Sequence, residues 1–109
     1  MLNVSKNGDI KLTRGDTARL TVAPTYDDGQ PYSIEKNDTV TFTVKQNYND
    51  KSPLIEKVVV GGNKIHIEPK DTKNLPFGKY KYDVQVTKAN GDNYTIIDDK
   101  IFEVANEVG

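Results

Sequence analysis

The sequence predicts an all-β domain, an antiparallel β-sandwich of about seven strands. Three observations predict it. Apolar residues recur at every second position through most of the chain, the period of a half-buried strand. Gly, Pro, Asn and Asp interrupt these runs at the ~8–12-residue spacing of a sandwich. Only one short stretch, 71–78, reads as a helical turn. The chain has 109 residues, enough for a single domain with one core.

The elements follow in order. Residues 1–8 read as a leading arm. Ile10 and Leu12 alternate with polar residues, and Ala18, Leu20 and Val22 do the same after Arg14-Gly15-Asp16. A turn centred on Gly15 pairs 12 with 18 and 10 with 20, which keeps all five apolar residues on one face. Pro24 closes the second run because it cannot donate to a ladder. Residues 24–37 form a loop with an Asp28-Gly29 turn, and Tyr32 and Ile34 are expected to tuck under the sandwich. In 38–46, Val40, Phe42 and Val44 face one way and a row of threonines the other. The runs 54–60 and 64–69 flank Gly61-Gly62-Asn63 and read as a hairpin. In 71–78, Asp71 is placed to cap a helical turn and Gly78 to end it. Tyr80, Tyr82, Val84 and Val86 form the inward face of 79–88. Asn90-Gly91 is a two-residue hairpin signal. Asp98-Asp99 interrupts the last run, 93–104, and predicts a bulge or bend.

Composition narrows function by exclusion. Fifteen basic and sixteen acidic residues are interspersed, for a net charge of −1. No basic patch suits nucleic acid. There is no Cys, which leans towards synthesis in a reducing cytoplasm. The N-terminus lacks the charged-then-apolar pattern of a signal peptide. No apolar run approaches the ~18 residues of a membrane span.

Candidate sites are few. Arg14-Gly15-Asp16 matches the tripeptide of integrin ligands. A tight turn accounts for it better: Gly15 permits the bend, Asp16 bonds nearby amides, and Arg14 is left as the residue of the three with a side chain to spare. His66, the only His, alternates with Ile65 and Ile67 and is expected to face solvent. Without Cys or a second His it makes no zinc site. Asp27-Asp28 and Asp98-Asp99 lack the spacing of a calcium loop. Ser5, Ser33 and Ser52 have no nucleophile motif around them, and Gly61-Gly62 lacks the helix of a phosphate loop. The expectation is therefore no enzyme, no cofactor and no metal. The more promising feature is Val58, Val59 and Val60, where one parity must face away from the core unless a bulge shifts it. That suits an edge strand in contact with another chain.

Two resemblances add to this reading. The stretch "RGDTARLTV" resembles the start of strand B in immunoglobulin-like domains, with Ala18, Leu20 and Val22 at the inward positions. "GKYKYDVQV" resembles strand F, with Tyr80 or Tyr82 where a tyrosine corner would stand. Phe42 takes the place of the central Trp of strand C. With no Cys pair, the resemblance implies apolar packing among Leu20, Val22, Phe42, Tyr82 and Val84. Over nearly the whole chain, "RGDT", "DTVTF", "DT..LP.GKY.YDVQV" and "F.V" in this order resemble the N-terminal domain of the phage baseplate upper protein family. These domains belong to tail and baseplate proteins of phages and prophages of Gram-positive bacteria. The family domain is an immunoglobulin-like sandwich that attaches a longer chain to the tail, whose C-terminal parts trimerise or bind receptors. The resemblance here covers the N-terminal domain alone.

It implies an immunoglobulin-like β-sandwich that docks onto other phage tail or baseplate subunits. Such a protein is made in the bacterial cytoplasm and carried in the virion tail. Nucleic acid and membrane are not expected partners, and self-association within the assembly is compatible. The expected contact residues are Arg14, Gly15, Asp16, Val58, Val59 and Val60. The competing expectation is an immunoglobulin-like adhesion module of a bacterial surface protein.

Overall fold

The computed structural model describes residues 2–4, 8–23, 28–47 and 50–106. Eight strands and one short helix follow in chain order: β1 (Leu2–Val4), β2 (Ile10–Thr13), β3 (Ala18–Thr21), β4 (Thr39–Lys45), β5 (Ile55–Val60), β6 (Lys64–Ile67), α1 (Pro69–Lys73), β7 (Gly78–Thr87) and β8 (Asn93–Ala105). Six form one sheet in the order β1-β2-β8-β7-β4-β5, and β3 pairs with β6 in a second. The protein is an all-β sandwich, as the alternation predicts. One pair departs from the antiparallel expectation. β2 and β8 run parallel and set Ile10 beside Phe102 and Leu12 beside Val104.

The core fills from both sheets. Leu12, Val40, Phe42, Val44, Tyr80, Tyr82, Val84, Val86, Phe102 and Val104 point inward from the larger sheet, and Ala18, Ile65 and Ile67 from the smaller. Val22, just past β3, joins them. The Phe42 ring lies 5.4 Å from that of Tyr82 and 6.1 Å from that of Phe102. Leu20, Tyr32 and Ile34 are half-buried against this cluster. The Tyr80 hydroxyl donates to the Pro76 carbonyl at 2.6 Å. That backward bond of four residues is the tyrosine corner, so Tyr80, not Tyr82, occupies it. The Tyr82 hydroxyl instead donates to the Gly8 carbonyl. Burial, helped by the Asp9 charge, pushes its pKa up to about 12.

Four sequence expectations are corrected. β2 and β3 do not form a hairpin, because β2 lies in the larger sheet and β3 in the smaller. Ile10, Leu12, Ala18 and Val22 are buried in common because both sheets face one core. β5 and β6 likewise belong to different sheets, so Gly61-Gly62-Asn63 is a crossing. Gly61 turns the chain at φ 73°, and its N–H donates to the Asp38 carbonyl. α1 starts at Pro69, and Asp71 caps it from the third helical position by accepting from the Glu68 N–H at 2.7 Å. It ends at Asn74, and Gly78 opens β7. The expected leading arm contains β1, which pairs with β2 from Leu2↔Leu12 to Val4↔Ile10. Pro24 lies outside the described residues.

The last hairpin holds with one adjustment. Lys88 N–H bonds Asp92 O at 2.7 Å, and Gly91, at φ 95°, closes a Lys88–Gly91 turn. The loop is therefore the three-residue form ending in a left-handed glycine. Of the bulge or bend expected at Asp98-Asp99, the structure has the bulge. The register jumps from Tyr82↔Lys100 to Val84↔Ile97, and Asp99 is at φ 52°. A second jump at Val84/Gln85 leaves Ile96 and Ile97 both half-buried.

Candidate functional site

The registers divide the sandwich into two ends and two edges. At one end the chain passes from β2 to β3 through Arg14-Gly15-Asp16. Arg14 N–H bonds Ala105 O at 3.0 Å, and Asp16 N–H bonds Thr13 O at 3.1 Å. Gly15, at φ 85°, supplies the bend, and its N–H donates to the Thr72 hydroxyl at 2.8 Å. Thr72 is fully buried on α1, so the helix is docked against this turn. The Arg14 guanidinium lies 4.0 Å above the Phe77 ring and reaches the Leu75 carbonyl at 3.5 Å. All three residues of the tripeptide are half-buried, unlike an exposed recognition tip. Arg14 thus has a structural role that the local sequence does not announce: it fastens the turn to the loop after α1.

The Gly15–Thr72 bond sets a measurable expectation. Thr72→Val keeps shape but leaves a partly buried N–H without its acceptor, which costs about 1–3 kcal/mol. Urea unfolding checks it, and a loss within about 0.5 kcal/mol would remove the bond from the account.

At the opposite end lies a polar cluster absent from the sequence expectations. Asp38 is only 2% exposed. Its Oδ2 accepts from the Glu35 N–H at 2.9 Å, the Lys88 ammonium at 3.0 Å and the Tyr32 hydroxyl at 3.2 Å. The Lys88 ammonium also donates to the Tyr32 hydroxyl and sits 4.7 Å from the ring centroid. The Glu35 amide bond, seconded by Lys88 and Tyr32, outweighs burial and holds the Asp38 carboxyl below the usual carboxylate range. The bonds to Tyr32 and Asp38 push the Lys88 ammonium up. With three donors on one oxygen, Asp38 ties the loop before β4 to the end of β7. An open cleft of about 350 Å³ runs past Asp38, Lys88 and Asn90. Residues 32 and 88 are too far apart in sequence for local pattern to join them. The only signal was an Asp at the head of the clearest strand.

The edge at β5 is the third feature. Among the described residues β5 pairs with β4 alone, from Thr39↔Val60 to Val44↔Ile55. Val58 and Val60 are 58% and 69% exposed, whereas Val59, expected among the contact residues, packs against the core. Lys57 turns under the sheet to meet Asp71 of α1 at 2.8 Å.

No family model, curated protein or solved structure matches this chain.

The remaining sequence candidates are placed as follows. His66 is exposed opposite Arg19, as alternation predicts. Asp28 Oδ1 accepts from the Gln30 N–H at 3.0 Å, a local turn bond. Asp99 pairs with Lys81 at 3.4 Å. Ser33 and Ser52 are exposed. Asp27 and Ser5 lie outside the described residues. Among the described residues, no group of three His, Cys, Asp or Glu side chains could hold a metal ion, and no helix is long and apolar enough to cross a membrane. The tripeptide and the valines stand apart: the first closes one end of the sandwich, the second lines an edge.

Proposed function

We propose that this chain is a non-enzymatic structural or adaptor component of a phage or prophage tail or baseplate, docking onto neighbouring subunits of the assembly through the β5 edge. The supporting observation is that edge: a strand with no partner on one side among the described residues, presenting Val58 and Val60 to solvent. Exposed edges of this kind are joined by added strands unless they are blunted. The tail setting is supported by the ordered resemblance of "RGDT", "DTVTF" and "GKY.YDVQV" to the baseplate family. In this reading the chain is made in the host cytoplasm and carried in the virion. The Asp38 tie and the docking of Thr72 on Gly15 hold the two ends rigid, so the edge meets its partner with little ordering cost.

Mass spectrometry of gradient-purified particles tests it. The chain is expected in them. Val58→Lys is expected to change stability by no more than about 0.5 kcal/mol, yet to reduce incorporation. Absence from particles, with recovery in the cell-wall fraction, would favour the adhesion module instead.

A further inference from the structure

This inference rests on the assembly reading above and names the partner at the edge. Five large apolar side chains are well exposed among the described residues: Leu54, Val58, Val60, Phe77 and Tyr94. Three of the five lie within 54–60, so the exposed apolar surface is concentrated on the open edge.

Backbone direction sharpens this. The Gly61 N–H donates to Asp38 O at 2.8 Å, so Gly61 turns its polar groups towards the β4 side. Direction alternates along a strand. Val59 and Lys57 therefore also face β4, while Glu56, Val58 and Val60 present their N–H and C=O groups to the open side. No strand pairs there among the described residues.

We propose that the occupant of this edge is a second copy of the same chain, its β5 antiparallel to the first about a two-fold axis through Val58. Val58 then faces Val58, and Glu56 of each copy faces Val60 of the other. Every residue with open-side groups meets another, which gives a closed, self-complementary contact. Centring the axis on Lys57 leaves Val60 without a partner and stacks two ammonium groups. Centring it on Val59 leaves Glu56 without one. In the Val58 register no like charges face each other. A charged side chain turned inward commonly guards an edge, but Lys57 is engaged by Asp71 of its own chain at 2.8 Å. With a net charge of −1 per copy, long-range repulsion is slight.

The chain has no Cys, so single-cysteine variants report the register directly. Across a hydrogen-bonded antiparallel pair the Cα atoms lie ~5.5 Å apart, within the ~4.4–6.8 Å a disulfide spans. In the same register the two copies of position 60 lie roughly 13 Å apart along the strands. Under oxidised glutathione, Val58→Cys is expected to form covalent dimer roughly tenfold faster than Val60→Cys or Glu56→Cys alone. A mixture of the last two is expected to give the mixed dimer. The proposal is overturned if Val58→Cys crosslinks no faster than Val60→Cys, or if position 58, carrying a photo-crosslinker in purified particles, captures a different subunit. That second result leaves the tail reading standing. Absence from particles alongside a fast Val58→Cys dimer does the reverse, sinking the tail reading and keeping the self-pairing.

Discussion

Truncation of Phe42 to alanine is expected to lower the unfolding free energy by about 3–5 kcal/mol. Phe42 is 1% exposed, and its ring touches both Tyr82 on β7 and Phe102 on β8. It joins three strands of the larger sheet within the core that both sheets line. The chain has no Trp, and among the described residues the smaller sheet has two strands, so little bulk stands ready to collapse into the void. A domain of this size holds about 5–15 kcal/mol in all, so the variant sits near the threshold of folding. Urea unfolding with an unchanged slope checks it. Phe42→Leu is expected to lose clearly less, and a loss below about 1 kcal/mol for the alanine variant would deny Phe42 its place at the centre.

Asp38→Asn is expected to lower the melting temperature by several degrees, more than any exposed polar substitution. It removes the charge that Lys88 faces and leaves the three donors on one oxygen either a weaker, neutral amide acceptor or, with the amide turned, an NH2 that donates against all three. The same substitution alters the pH profile. The Asp38 carboxyl is held below its unfolded range. Its contribution is therefore complete above about pH 4 and lost as the pH falls through the lower folded value. Asp71, depressed by Lys57 and the Glu68 amide against the opposing effect of burial, adds loss of the same sign. Lys88 acts in the opposite direction on the scale: its pKa is raised, so its contribution holds through neutral pH and fades only in strong alkali. Thermal melts between pH 2 and pH 7 are thus expected to fall on the acid side for the wild type and to be shallower for Asp38→Asn. Adding Lys88→Met to Asp38→Asn is expected to cost less than the two losses summed, because the charges are lost together. An acid limb unchanged by Asp38→Asn would assign the acid sensitivity elsewhere.

Both effects bear on how much of this molecule local pattern reveals. Phe42 is legible because it sits in a strict alternation with Val40 and Val44, all three fully or nearly fully buried. Asp38 is not, because its partners Tyr32 and Lys88 lie 6 and 50 positions away and carry no shared motif. Arg14 is the same case. Its neighbours explain a turn, but Phe77 and Leu75 reach it only through the placement of α1. The valine run was half legible. Alternation required one parity outside; the register of β5 on β4 made Val58 and Val60 the exposed pair and Val59 the core residue.

What the sequence by itself determined is the alternation of faces along each strand, the positions of the turns and the interruption at Asp98-Asp99. These depend on side-chain parity and on backbone freedom at single residues, both of which are local. Only the tertiary structure decided which strands are neighbours. Arg14-Gly15-Asp16 and Gly61-Gly62-Asn63 each read as a hairpin and each carries the chain from one sheet to the other. The reason is geometric. In a sandwich the inner faces of both sheets look at one core, so a turn within a sheet and a crossing between sheets leave the same alternation behind. Backbone hydrogen bonds separate the two, and their partners lie far along the chain.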